Sequence, residues 1–364
     1  MNAKPIPSRR AQYPANQRPH RQFVPLLVAA TVSLWGLLNA PLVAAKGVED
    51  GGKRFCSQTA ALLFRACGYE AQDDYLVATA KCTNIGDSAE RSKCLDAARG
   101  GRREKTDLCR EQRAGRRQAC RDLGENRYEP GFAPDQFDPP KSPSKPNPYF
   151  PLTVGNTWEY RSATERNTLE VLDATKLVDG VQCIVLRDQV FRDGSLAEDT
   201  NDWFAHATDG NTWYCGEEVK NFEIFDGDDP ATPELVSIDG SFKAGREHDK
   251  PGLIFPANPV VGQFYLEEFS LGNAEDVTEI LSTTYAYGQD AELDQLVPQE
   301  LVKLLCSGDC VVTKNYSLLE PGVSAHKYYA RGIGAFLEVD LDSKEVLRLT
   351  QCNFDDRCGS LPKP

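Results

Sequence analysis

The sequence predicts an α+β protein: an N-terminal disulfide-stapled helical bundle, then an antiparallel β meander, closed as a sandwich or half-barrel, carrying one helix. Three observations point there. The chain of 364 residues holds twelve cysteines, divided six and six between two compositionally different halves. Residues 46–125 are rich in Ala, Arg, Glu, Gln and Leu and contain no proline, a helical composition. Beyond residue 150, Asp-Gly pairs recur at short intervals between β-type runs, the signature of successive hairpins.

The order of elements starts with a leader. Arg9, Arg10, Arg18 and Arg21 precede an apolar run from Phe23 to Val43, and Val43-Ala44-Ala45 offers the small residues that a signal peptidase needs. Residues 1–45 therefore read as a signal peptide, cleaved near Ala45 to give a secreted or periplasmic protein. The competing reading is an uncleaved anchor, since the apolar run is long enough to span a bilayer. Pro25, Gly36, Asn39 and Pro41 weaken it as a spanning helix. Membrane contact is thus expected only through the leader, before cleavage. Export places the cysteines in an oxidising compartment, where an even number reads as a disulfide framework.

Residues 46–125 form the cysteine-rich helical domain. Gly68, Asn84-Ile85-Gly86-Asp87 and Gly100-Gly101 punctuate it, which predicts four helices near 50–67, 71–84, 88–99 and 103–122. Cys56 and Cys67 are eleven residues apart, as are Cys109 and Cys120. Eleven residues is almost three helical turns, or about 16 Å, so neither pair can close on itself. Matched spacing instead lets two antiparallel helices be stapled at both ends. The expected bridges are Cys56–Cys120, Cys67–Cys109 and Cys82–Cys94, one of fifteen arrangements open to six cysteines. Paired staples of this kind resemble the coiled-coil-helix scaffolds in architecture, with a different spacing. A zinc cluster is the rival reading, but the region has no Cys-x2-Cys knuckle and no histidine. Arg110, Arg113, Arg116, Arg117 and Arg121 make an arginine-dense helix face that can dock on an acidic partner, dock on the chain's own acidic half, or stay solvated.

Residues 126–150 are a proline-rich linker, with six prolines between Pro130 and Pro146 and a further one at Pro148, and read as an extended spacer. Residues 151–364 form the antiparallel β-rich domain. Asp179-Gly180, Asp193-Gly194, Asp209-Gly210, Asp226-Gly227 and Asp239-Gly240 mark its turns. Strands are expected at 157–161, 168–172, 181–191, 199–207, 212–219, 265–269, 277–284, 311–316, 326–329, 335–341 and 346–352. A helix is expected near 290–305, kinked or split by Pro298. The remaining cysteines can pair locally as Cys183–Cys215, Cys306–Cys310 and Cys352–Cys358.

Charge excludes one class of partner. The net charge of −13 includes five basic and no acidic residues in 1–45, so the cleaved chain carries −18. Residues 46–125 contribute 16 basic and 13 acidic side chains, which leaves a net −21 from residue 126 onward. Such an acidic surface repels phosphate backbones and anionic lipid, so no nucleic-acid partner is expected. The partner is instead an unknown envelope component or a small ligand.

Several stretches carry a resemblance. They are 147–160 (NPYFPLTVGNTWEY), 202–205 (DWFA), 209–217 (DGNTWYCGE), 256–259 (PANP), 274–276 (AED), 319–321 (LEP) and 326–334 (HKYYARGIG). The chain resembles an uncharacterised family of exported bacterial proteins across most of 147–341. That resemblance implies export and a β-rich domain, and no established activity. Cys215 beside Gly216-Glu217 departs from the family's pattern. In or near the matching stretches lie Asp202, Glu217, Glu268, Glu275, Asp276, His326 and Lys327. If they converge, they make a carboxylate-rich cleft for calcium, a cationic ligand or a sugar. If they do not, they are the solvent-facing side of a half-exposed sheet.

Enzyme signatures are lacking. There is no Gly-x-Ser-x-Gly elbow, no His-Glu-x-x-His and no phosphate-cradling loop. Asp226-Gly227-Asp228-Asp229 lacks the spacing of a calcium loop. No catalytic residue, metal site or cofactor is assigned. The expected function is a non-enzymatic binding or structural protein of the bacterial envelope or extracellular space, with an apolar ligand or calcium-stabilised scaffolding as versions. The alternative is an extracellular glycan hydrolase acting through a carboxylate pair in the β domain.

Overall fold

The computed structural model describes residues 54–363. The leader and its cleavage region lie outside the described residues. Among the described residues, no helix is long and apolar enough to cross a membrane.

The N-terminal part is a hairpin of two long helices, α1 (Phe55–Thr83) and α2 (Ser88–Leu123), not four short ones. Only the Asn84–Asp87 turn interrupts the helical run, with the Asp87 carboxylate capping α2 through the Glu90 N–H at 2.8 Å. Gly68, Gly100 and Gly101 lie inside helices. Each costs roughly 1 kcal/mol relative to alanine, too little to break a proline-free helix held by cross-links on both sides. The three bridges are Cys56–Cys120, Cys67–Cys109 and Cys82–Cys94, with Cα separations of 5.6, 5.7 and 5.5 Å. All three pairs are symmetric about position 88, as one antiparallel hairpin requires. The open end is tied by Glu125, whose carboxylate accepts from the Ser57 N–H at 2.9 Å and from its hydroxyl at 2.5 Å.

The rest is one antiparallel sheet of fifteen strands. In chain order these are β1 (Thr157–Arg161), β2 (Glu165–Val178), β3 (Val181–Arg192), β4 (Ser195–His206), β5 (Thr212–Glu218), β6 (Asn221–Glu223), β7 (Glu234–Ser237), β8 (Phe242–Lys243), β9 (Gly252–Phe255), β10 (Phe264–Leu266), β11 (Asp276–Tyr285), β12 (Cys310–Ser317), β13 (Ala325–Ala330), β14 (Gly334–Asp340) and β15 (Val346–Cys352). The main path runs β10-β11-β12-β13-β14-β15-β1-β2-β3-β4-β5. Its two ends meet. β9 pairs with β5, and Lys250, just before β9, bridges Phe269, just after β10, through an N–H···O bond of 3.0 Å. The sheet thereby curls into a barrel. The seam needs Gly252, where an added Cβ would lie 1.7 Å from the Glu267 carbonyl oxygen.

The turns follow their chemistry. Asp179-Gly180 and Asp193-Gly194 have positive φ at both residues (46° and 85°, 51° and 81°), the backbone of a tight two-residue hairpin. The strands β2 and β4 are longer than their sequence suggests, because both faces carry polar residues towards their ends. The short strands β6 to β9 carry no clear alternation and escape a sequence reading. The expected helix is confined to α3 (Gln299–Leu305), which begins directly after Pro298. Proline cannot continue a helix from before it but fits at its start.

Outer faces of the barrel are covered piece by piece. Leu301, Val302 and Leu305 of α3 join the cluster containing Tyr285 and Tyr328, whose hydroxyls bond Asp294 at 2.8 Å and the Leu293 carbonyl at 2.7 Å. Val181, Cys183, Val185, Trp203, Ala205 and Cys215 form a second patch on β3–β5, pinned by the Cys183–Cys215 bridge. Phe132 and Phe137 cover that patch. The proline-rich 126–150 segment thus runs against the sheet instead of spanning open space. Its Asp138 N–H reaches the His206 carbonyl at 2.9 Å, and its Gln136 carbonyl accepts from the Thr208 N–H at 2.9 Å. Proline-rich backbone forms no strand of its own, but its aromatic anchors bury apolar area wherever a bare sheet face is offered. Cys306–Cys310 and Cys352–Cys358 close local loops, and no free cysteine occurs among the described residues.

The helical hairpin docks on β10–β11. Ala119 packs with Leu266, Val277 and Leu318, and the Gln112 amide donates to the Leu319 carbonyl at 2.8 Å. Arg116 and Glu275 form a two-pronged ion pair at 2.7 and 2.8 Å, with side chains 6% and 3% exposed. One member of the arginine-dense face therefore docks on the chain's own acidic half.

Candidate functional site

Alternation along each strand sends every second side chain into the barrel. On β3 these are Ile184, Leu186 and Asp188; on β4, facing them, are Phe204 opposite Ile184 and Asp202 opposite Leu186. On the other side, Tyr329 pairs with Val311 and Lys327 with Thr313, while Thr313 and Asn315 bond each other at 2.6 Å. The interior thus has two layers. Phe204, Phe255, Ile280 and Val311 are buried in an apolar layer. Above it, β3, β4, β5 and the β10–β11 corner contribute carboxyl groups.

Glu217 enters this layer through an irregularity. β4 and β5 pair as Phe204 with Tyr214 but Trp203 with Gly216, so Cys215 is an extra residue on β5. That bulge restores Glu217 to the same face as Tyr214 and sets it directly opposite Asp202. Gly216 is required there: φ is +132°, and a Cβ would lie 2.4 Å from the Phe242 carbonyl oxygen.

The electrostatics follow from burial and mutual repulsion. Burial pushes the Asp202 carboxyl up, against the pull of its hydrogen bond from the Tyr214 hydroxyl, and Glu198 pushes it up further. Burial also raises Glu217, and the facing Asp202 raises it more. Glu268 is lifted well above the ordinary carboxyl range, first by burial, then by Asp276, Glu217, Glu267 and Asp202. Asp188 is lifted in the same way, by burial and then by Asp202 and Glu198. Among the described residues, none of Asp188, Asp202, Glu217 and Glu268 has an ion-pair partner. Each residue as a whole keeps some accessible surface, but Asp188 Oδ1 is buried and has no hydrogen-bond partner.

One cation borders the cluster. Lys327 lies 4.0 Å from Glu338, its cross-strand neighbour, with side chains 32% and 41% exposed. Burial alone would lower Lys327, but Glu338, Glu267, Tyr329 and Asp276 outweigh it and hold the ammonium charged. Glu267 is 6% exposed and accepts from the Asn315 amide at 2.9 Å, with its carboxyl raised by burial. The Tyr265 hydroxyl is buried beside Glu267 and Thr278, and burial raises it.

Of the seven residues singled out from the sequence, five converge: Asp202, Glu217, Glu268, Asp276 and Lys327. Two do not. Glu275, next to Asp276 on the alternating chain, points to the opposite face and binds Arg116. His326, next to Lys327, shares the outer face with Tyr328; burial and Lys314 lower it, with Glu292 and Asp290 opposing. Sequence reasoning missed Asp188, Glu198, Glu267 and Glu338. For Asp188 a signal existed, since it continues the inward parity of Ile184 and Leu186. Among the described residues, no group of three metal-ligating side chains stands close enough to hold an ion.

Comparison with known proteins adds little. No family model matches the chain, and no curated protein matches it significantly, so its resemblance to a family rests on the quoted motifs alone. A solved structure of a candidate lipoprotein from Parabacteroides distasonis is similar at 12% identity and a TM-score of 0.27, covering 58% of this chain and 100% of that one. That likeness is too slight to support an argument about this fold.

Proposed function

We propose that this is an exported, non-enzymatic binding protein whose barrel interior takes an organic cation, an amine or guanidinium. The observation that carries the reading is the convergence of Asp188, Asp202, Glu217 and Glu268, none of them in an ion pair among the described residues, while the bordering Lys327 lies 4.0 Å from Glu338. Four carboxyls brought together from separate strands raise one another's proton affinity, an arrangement that costs stability unless something occupies it. A bound cation relieves that repulsion, and Tyr214, Tyr265 and Tyr329 supply ring faces and hydroxyls beside it. Export is supported by the six disulfides, which persist outside the reducing cytosol. An apolar ligand fits this layer less well, because its lining of carboxyl groups is polar.

Glycan hydrolysis by Asp202 and Glu217 is favoured by no specific observation. The test is thermal unfolding and calorimetry of the cleaved protein with spermidine, arginine methyl ester, calcium and a neutral sugar. The reading expects saturable stabilisation by one or both organic cations, lost in Glu217→Gln/Glu268→Gln. No stabilisation by either, or an equal response in the double variant, rejects it.

A further inference from the structure

We infer that α1 is a self-association surface, and that its occupant is the same helix of a second copy of this chain, run antiparallel. Cys56, Ala60, Cys67, Ala71 and Cys82 point towards α2 and are at least partly buried. At 100° per residue, Leu62, Tyr69 and Leu76 lie on the opposite side of the helix, about 180° away. These three, with Val77, are between 47% and 68% exposed, a run of large apolar side chains at intervals of seven. The seam lies on the side of α1 turned away from α2, so the packing of the hairpin makes no use of it.

The charges beside the seam name the occupant. Arg65 and Asp73 flank it, four residues to either side of Tyr69, both exposed and neither in an ion pair among the described residues. Placed on a twofold axis through Tyr69, two antiparallel copies match position for position. Leu62 meets Leu76 of the second copy, Ala61 meets Val77, Tyr69 meets Tyr69, and each Arg65 lies level with an Asp73. The contact is isologous and closes on itself. A parallel pairing in register would instead set Arg65 against Arg65 and Asp73 against Asp73, a repulsive arrangement. The matched stretch is about 24 Å of helix, which makes a small, reversible interface and not an obligate one.

Sedimentation velocity of the cleaved protein across micromolar to millimolar concentration tests this. Wild type is expected to shift from monomer to dimer. Tyr69→Lys, which brings two ammonium groups together at the axis, is expected to weaken the dimer by about tenfold or more. Arg65→Asp and Asp73→Arg are each expected to weaken it, and the double exchange Arg65→Asp/Asp73→Arg to restore it. All three positions are exposed, and circular dichroism confirms that each of the four variants stays folded. A wild type that is monomeric throughout overturns the inference. So does a dimer indifferent to Tyr69→Lys, or a double exchange no stronger than its single variants.

Discussion

Replacing Arg116 by methionine should loosen the helical hairpin from the barrel at a cost that the geometry allows one to work out. The substitution removes two charge-assisted hydrogen bonds, at 2.7 and 2.8 Å, from a site where both partners are almost fully buried. It leaves the Glu275 carboxylate with the Gly272 N–H at 2.5 Å as its remaining donor. Stranding a buried charge in this way costs about 3–5 kcal/mol. Adding Glu275→Gln removes the stranded charge while keeping an acceptor for Gly272, so the double variant should recover all but about 1–2 kcal/mol. Urea unfolding is the assay. Among the described residues, the tryptophans are Trp158, Trp203 and Trp213, all in the barrel, so fluorescence reports the barrel while far-ultraviolet dichroism also follows the hairpin. In Arg116→Met the two signals should separate. A loss below about 1 kcal/mol, or a double variant no more stable than the single, would refute the reasoning.

Three further predictions follow from the same structure. Because the folded carboxyls of Asp202, Glu217 and Glu268 are raised, the folded state holds protons that the unfolded chain releases. Stability should therefore fall as pH rises above the ordinary carboxyl range, by about 1.4 kcal/mol per pH unit for each proton so retained; melting temperatures between pH 5 and 8 measure the slope, Glu217→Gln should flatten it, and a rising slope contradicts it. Gly216→Ala should cost about 3 kcal/mol or more, since it meets both a forbidden backbone angle and the Phe242 carbonyl; denaturant midpoints within about 0.5 kcal/mol of wild type would contradict the bulge. Replacing both Cys82 and Cys94 by serine opens a loop of sequence separation 12 at the hairpin turn, with an expected loss of about 3 kcal/mol, read as earlier loss of helical dichroism.

The bridges of the hairpin were legible because cysteine spacing and helical rise together allow few pairings. The number of helices was not, since Gly68 and Gly100-Gly101 carry the same breaking signal whether or not tertiary cross-links override it. Asp-Gly pairs located the long hairpins of β2–β4 because that backbone demands positive dihedrals. The weak strands β8 and β9 are set by tertiary closure at Gly216 and Gly252, where the reason for glycine lies on another strand. The same holds for the site. Asp202 and Glu217 face each other only because Cys215 is looped out, and Glu275 and Asp276 part company through simple alternation. Their membership of one cluster depends on a ring that closes between residues 250 and 269, which no local pattern encodes.

Infrared spectroscopy of the protein at neutral pH tests the carboxyl cluster most directly, because protonated carboxyl groups absorb apart from carboxylates. The account predicts a protonated-carboxyl band in the free protein, reduced in Glu217→Gln/Glu268→Gln and abolished when spermidine or arginine methyl ester saturates the interior. A spectrum with carboxylate bands only, unchanged by either cation, would contradict it.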